Sequence, residues 1–422
     1  MAYGMESLDG IEKYAFDDLL EDLISTRDLY EISAKNGRYI YRTRFSETVR
    51  LVRQLKQLFP NLHWSAGADL VSDYRIDSRP REFPIRDLGI NTVSDRLKNN
   101  EGVNDRAIQA INALLGPAMQ LSEFQYRSIA RLVNFAESDQ GTVITAGTGG
   151  GKTIAAYTPI FASFTSLDGT SNHTKALALY PRKELLKDQF SEVFRMARAS
   201  EKLFNNLWGR PVRIGAYFSD TPFDSEPKYV SQLWNQSKDH SGWICPFLKC
   251  HKCSGFLIWL ESDVSNKVER LSCQNRSSCD GGSGATQVAL TRRSMTSNPP
   301  DVVFSTAESL NQRLSDPYCR NLFGLRRPKT QSVNYILLDE IHTYAGVSGA
   351  QVANTLRRFR HQSAGSVNWI GLSATIQDAS RFFSDLTGVV VEGIKEITPS
   401  PSEMQTGSRQ HQLIVRGDAS SR

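Results

Sequence analysis

The stretch TVITAGTGGGKTIAAYTPI, residues 142–160, reads as a short apolar strand, a glycine-rich turn and a helix. Thr142–Thr145 is β-branched and brief, which suits a strand buried on both faces. Glycines at 147, 149, 150 and 151 let the backbone wrap tightly and aim its N–H groups at an anion, helped by the positive end of the following helix. Lys152 then supplies a point charge for the β and γ phosphates of a nucleotide, and Thr153 a hydroxyl for Mg2+. The strict P-loop pattern wants glycine where this chain has Ala146, so Ala146, Gly147, Thr148, Gly149, Gly150, Gly151, Lys152 and Thr153 form a variant of it.

Working outward, short apolar runs recur at TVIT (from 142), ALALY (176), DVVFST (301), YILLD (335) and WIGLSAT (369), separated by helical stretches. Strands alternating with helices imply a parallel sheet covered on both faces, an α/β fold. Ligands of such sheets bind beyond the carboxyl ends of the strands. YILLDEIH delivers Asp339 and Glu340 at such an end. ATP hydrolysis needs one carboxylate on Mg2+ and a neighbour that orients or deprotonates the attacking water, and these roles fall to Asp339 and Glu340 respectively.

Residues 1–118 are expected to be a mainly helical accessory region, its clearest helix being TRFSETVRLVRQLKQLF from Thr43, followed by DSRPREFPIRD (77–87) as an extended connector. Residues 119–400 hold the strand–helix alternation, with an insertion at about 240–290. Residues 401–422 open like a linker, and HQLIV reads as a first strand of something further. Fifty Lys plus Arg against 45 Asp plus Glu give +5 and a pI of 8.8, which permits a polyanionic partner without demanding one. No apolar run is long enough to span a membrane, and the first residues lack a signal-peptide pattern, so a cytoplasmic location is expected.

Five of the six cysteines fall between Cys245 and Cys279, which points to one local metal site and not to a disulfide framework. Cys250 and Cys253 form the knuckle CHKCSG, and Cys273 and Cys279 offer a second pair. Four soft ligands favour tetrahedral Zn2+ in a closed structural site, with Cys245 as an alternative ligand and an iron–sulfur cluster as the competing occupant. CHKCSG resembles the turn of a zinc ribbon, which favours zinc.

AGTGGGKT, DEIH and LSAT together resemble motifs I, II and III of the superfamily 2 DEAD/DEAH-box ATP-dependent helicases. The resemblance runs from residue 120 to about 390 and implies a RecA-like P-loop NTPase lobe that binds ATP and Mg2+. By the same resemblance Gln125, in LSEFQYRSI, takes the place of the glutamine that reads adenine. YPRKELLKDQ resembles motif Ia, which implies that Arg182 and Lys183 meet a nucleic-acid backbone, as Thr306 in FSTAESLNQRL would. His342, Ser373 and Thr375 resemble the residues that couple nucleotide state to lobe movement. DEIHTYAGVSGAQVANTLRRFR, from Asp339, is similar to a stretch of bacterial MrfA-type repair helicases and related phage-defence-island helicases, and DNA is preferred over RNA on that ground.

A motor of this kind needs a second lobe, and the 47 residues after Thr375 contain nothing resembling its arginine motif. The expectation is therefore a first motor lobe, weak or inactive until a second lobe joins it from elsewhere or from a separate chain. The competing reading is a nucleotide-gated nucleic-acid or partner-binding module without motor activity, such as a scaffold in a defence complex.

Overall fold

The computed structural model describes residues 20–21, 23–26, 28–35, 38–55, 71–134, 139–147, 149–238, 241–374 and 376–417. They fall into two compact units, one spanning Glu82–Gln405, the other formed by the described residues up to Arg81 with those from Thr406 on.

In the smaller unit β1 (Leu29–Lys35) and β2 (Arg38–Thr43) pair antiparallel, with Ile32 opposite Ile40, ahead of a helix, Arg44–Leu55. Among the described residues of 1–118, where a mainly helical region is expected, strands thus occur beside helices. The alternation in LYEISAK and RYIYRT has the two-residue period of a strand, which favours a hairpin. Phe45, placed by its spacing on the apolar face of the helix, is 79% exposed. The expected connector from 77 belongs largely to β3 (Val71–Pro84). Pro80 and Pro84 are tolerated because β3 sits in a two-stranded sheet, where half of its backbone groups need no partner.

The larger unit opens with β4 (Leu88–Gly89), helices Ile90–Glu101 and Asp105–Leu115, and β5 (Gln120–Leu121), which pairs back on β4. A helix, Glu123–Val133, leads into β6 (Gln140–Thr145), and the rest of the main sheet follows as β7 (Ala176–Tyr180) and β8 (Ile214–Tyr217). The chain then leaves for a small antiparallel sheet of β9 (Gly242–Lys249), β10 (Phe256–Leu260), β11 (Leu271–Cys273) and β12 (Gly282–Ser283). It returns through β13 (Val288–Ala289), β14 (Val302–Thr306), β15 (Tyr335–Leu338), β16 (Asn368–Ser373) and β17 (Ile394–Ile397). A last strand, β18 (Met404–Gly417), contains HQLIV and pairs with β3, so the expected linker is ordered by a partner strand distant in sequence.

The main sheet has the order β13-β8-β14-β7-β15-β16-β6-β17, and its pairings are parallel. This is the α/β, RecA-like arrangement expected. Alternate residues feed two cores: Ile144, Ala178, Phe304 and Leu337 point to one face, Val143, Leu177, Val303 and Ile336 to the other. The first core also takes Ile90, Val93, Leu97, Ala107 and Ile111, so the two helices before residue 118 pack with the main sheet inside the compact unit Glu82–Gln405. Burying each large apolar side chain here contributes about 1.5–3 kcal/mol, enough to commit both helices to the sheet.

Candidate nucleotide and nucleic-acid site

Sheet order decides which chemistry meets. β16 lies between β6 and β15, with Ser373 in register with Thr145 and Gly371 with Leu338. The loop after β6 and the carboxylates after β15 are therefore separated by one strand, the strand that ends in Ser373. Ala146 N–H donates to the Ser373 carbonyl at 3.2 Å, tying the loop to that strand.

The loop carries Lys152 at the start of the helix Lys152–Phe164. Gly149 (φ 80°) and Gly151 (φ 89°) occupy the left-handed region, where a side chain is strained. A Cβ at Gly151 would also lie 2.4 Å from Gln125 Nε2 and 3.2 Å from Arg86 Nη2. Ala146 is not among the residues with positive φ, which explains how alanine replaces the consensus glycine. Lys152 Nζ donates to the Ala146 carbonyl at 2.8 Å, and Thr153 Oγ1 donates to Gln189 Oε1 at 3.0 Å. Burial pushes the Lys152 ammonium down, opposed by the charges of Glu340 and Asp339. Thr148 lies outside the described residues.

Two side chains hold the loop by its carbonyls. Gln125, buried, accepts from Ser122 N–H (2.9 Å) and hydroxyl (3.1 Å), and its Nε2 donates to the Gly151 carbonyl at 3.1 Å. Arg86 Nη2 donates to the Gly149 carbonyl at 3.3 Å. These bonds fix the backbone on either side of the Gly150 N–H, which itself donates to the Gly147 carbonyl at 3.0 Å. Arg86 was not foreseen: its partner lies 63 residues away, a relation that leaves no spacing signal.

On β15's side, burial pushes the Asp339 carboxyl up to about 6, with Glu340's charge also raising it and Lys152 opposing. A buried carboxyl short of positive charge fits a divalent cation. Glu340 has φ 45° and ψ 51°, a left-handed conformation that costs a non-glycine residue of order 1 kcal/mol and is characteristic of functional positions. Its Oε2 is buried without a hydrogen-bond donor in line, although His342 Nδ1 lies 3.2 Å away. His342 Nδ1 also faces Ser373 Oγ at 3.2 Å. The structure thus brings Lys152, Asp339, Glu340, His342 and Ser373 together; Thr375 lies outside the described residues.

Arg182 and Thr306 cap helices at the ends of the adjacent strands β7 and β14, where Thr306 is in register with Tyr180. Arg182 and Lys183 are exposed, and Lys183 Nζ lies 3.4 Å from Asp220. Thr306 Oγ1 accepts from Ser309 N–H at 3.1 Å, fixing the helix start. Behind them the Phe304 ring lies parallel to that of Tyr157 of the Lys152–Phe164 helix (6.0 Å) and to that of Tyr180 (5.8 Å), and the two tyrosine hydroxyls are 2.8 Å apart.

In the small sheet the sulfurs of Cys250, Cys253, Cys273 and Cys279 lie within 4.8 Å of one another. Cys250 and Cys279 are 3.7 Å apart and Cys253 and Cys273 3.4 Å, close to the ~3.8 Å edge of a tetrahedron with ~2.3 Å Zn–S bonds. Asn275 and Gly281 N–H groups point at the sulfurs of Cys273 and Cys279, both at 3.4 Å, which supports thiolates. A Cβ at Gly281 would meet Cys250 Sγ at 2.3 Å, so the turn closes only with glycine. Cys245 is not in this cluster: it is fully buried, its thiol pushed up to about 12 by burial, and it is withdrawn as an alternative ligand.

The DEAD/DEAH box helicase profile matches residues 122–213 and 259–382, more than half of the chain. The chain belongs to the DEAD/DEAH box helicase family. The family implies ATP and Mg2+. Over 354 residues, 71% of its length, it is 24% identical to Druantia protein DruE of Escherichia coli (strain UMEA 4076-1), covering 19% of that protein. It is 36% identical over 101 residues to the Lhr helicase/uracil glycosylase of Escherichia coli (strain K12), 24% of this chain and 6% of that one. Solved structures similar to it include the DUF1998 helicase MrfA bound to DNA (18% identity, 86% of this chain, 36% of that chain, TM-score 0.44). Another is Mycobacterium smegmatis helicase Lhr bound to ssDNA and AMP-PNP (19%, 72% and 28%, TM-score 0.45). The chain spans a fifth or less of the length of these curated relatives. No helix among the described residues is long and apolar enough to cross a membrane.

Proposed function

We propose that this chain is the ATP-binding first lobe of a DNA helicase or translocase. The observation that carries the reading is the convergence of Lys152, Asp339 and the strained Glu340 across the single strand β16. Lys152 and the loop bind the triphosphate, Thr153 and Asp339 hold Mg2+, and the Glu340 carboxylate orients the attacking water. Mg2+, when bound, neutralises charge on the phosphate oxygens. Gln125 keeps one amide hydrogen after bonding Gly151, and this donor is available to adenine. His342, between Glu340 and Ser373, relays the state of the phosphate end to the strand beside the loop.

Arg182, Lys183 and Thr306 take the nucleic-acid backbone, so binding is sequence-independent and falls steeply with salt. DNA is preferred over RNA because the stretch from Asp339 resembles that of bacterial MrfA-type repair helicases and phage-defence-island helicases. The four cysteines hold a structural Zn2+ that folds the small sheet. The second lobe comes from sequence beyond these residues or from another chain. The test is ATP turnover with and without single-stranded DNA, for this chain and for one extended by its downstream coding sequence. DNA-stimulated turnover in the extended chain, reduced roughly 100-fold or more by Glu340→Gln, is expected. Equal rates in Glu340→Gln, or nucleotide binding with no turnover in any form, would leave a nucleotide-gated binding module.

A further inference from the structure

The loop after β8 holds an aromatic side chain in water on a rigid support. Phe223 is 52% exposed, yet its carbonyl accepts from Arg293 N–H at 3.0 Å and that of Pro222 from Arg292 N–H at 2.9 Å. Arg292 Nη2 donates to the carbonyls of Phe218 (3.0 Å) and Ser219 (3.1 Å), and Trp234 Nε1 to that of Asp220 (2.9 Å). Tyr229 meets the Phe223 ring edge-on at 5.4 Å, with Lys228 Nζ 4.8 Å above the tyrosine ring. A ring left exposed forgoes the burial that would stabilise it, and a loop fixed this firmly has already lost the entropy that binding would otherwise cost.

Position gives the partner. Lys183 and Lys187 both bond Asp220, three residues before Phe223, tying this loop to the Arg182 turn. β8 is the neighbour of β14, which ends in Thr306. The loop's carboxylates are each paired, Asp220 with those lysines, Asp224 with Arg293 and Glu226 with Lys228. Arg182 and Arg292 have no carboxylate partner among the described residues, so the rim keeps positive charge beside the ring. A rigid aromatic next to backbone-binding cations is the arrangement by which proteins stack unpaired bases. Residues 214–258, which include Phe223, fall outside the family match.

We propose that Phe223, backed by Tyr229, stacks an unpaired base of a single strand whose backbone lies on Arg182, Lys183 and Thr306. The inference rests on the nucleic-acid reading above. Its test is the affinity of the 422-residue chain for a fluorescent twelve-nucleotide oligothymidylate and for an abasic oligomer of the same length. Phe223→Ala should weaken oligothymidylate binding by roughly five-fold or more and leave abasic binding unchanged, Phe223→Trp should restore it, and Arg182→Ala should weaken both. Unchanged oligothymidylate binding in Phe223→Ala, or equal losses on both oligomers, overturns the stacking role while the backbone reading stands. A wild-type chain that binds neither oligomer removes both.

Discussion

Gly151 shows how closely one backbone atom is policed at the phosphate loop. Its φ of 89° and the 2.4 Å approach of Gln125 to any added Cβ leave no room for alanine in the present geometry. Gly151→Ala should cost about 1–2 kcal/mol in urea unfolding and lower the affinity for a fluorescent ATP analogue roughly ten-fold or more. An alanine variant that binds ATP like the parent would mean that the loop opens away from Gln125 before nucleotide enters. Lys152, Asp339 and the four cysteines were legible because their chemistry is local in sequence or fixed by a strand end. Arg86 was not, since a guanidinium bonded to a distant carbonyl has no pattern of its own. Nor was the left-handed backbone of Glu340, as the residue type argues against it.

At the scale of elements, the rings of Tyr157, Phe304 and Tyr180 join the helix behind the phosphate loop to the two strands that end in Tyr180 and Thr306. Tyr157→Phe would leave the buried Tyr180 hydroxyl without its 2.8 Å partner, a loss of about 1–3 kcal/mol in stability. DNA stimulation of ATP turnover should fall further than basal turnover; a proportional fall in both would mark the rings as packing alone. With zinc on its four cysteines, as proposed above, the small sheet would depend on the metal in the same local way. Removing zinc with a chelator should melt β9 to β12, seen as amide exchange at residues 242–283, while exchange in β6 and β15 stays slow. Loss of protection throughout the main sheet would contradict a purely local role. β6, β7, β14, β15 and β16 were readable as continuous apolar runs because both their faces are buried. β8, β13 and β17 were missed because IGAY is broken by small residues, β13 has only two residues and IKEI carries two exposed charges, so none reads as a continuous apolar run.

For the whole molecule, charge secures the end of the sheet opposite the nucleotide site. Asp301 is buried between Lys175 (2.8 Å) and Arg210 (2.7 Å), and it also accepts from Arg213 N–H at 2.9 Å. Burial raises the Asp301 carboxyl, but the two cations outweigh it and hold it below its usual range. His173 beside them is pushed down to about 4 by burial and by Lys175. Between pH 6.5 and 4 the unfolded chain therefore binds a proton on His173 that the folded chain refuses, and stability falls as pH drops, by at most about 3 kcal/mol. Asp301's contribution is present above pH ~4 and disappears only below it, as pH falls through its folded value. Asp339, raised to about 6, acts in the opposite sense below pH 6, so the His173 effect is read by difference: from pH 7 to 5 the parent's urea midpoint should fall relative to that of His173→Asn, and parallel profiles would assign the pH dependence to other groups. The sheet order has a further outcome for biosynthesis. The segment before β6 bonds Val367, 228 residues later, and Thr145 at its end bonds Thr398, 253 residues later. A ribosome must therefore synthesise and release both of those intervals before the nucleotide-binding strand gains its neighbours, and until then its two sticky flanks are open to chaperones or to aggregation.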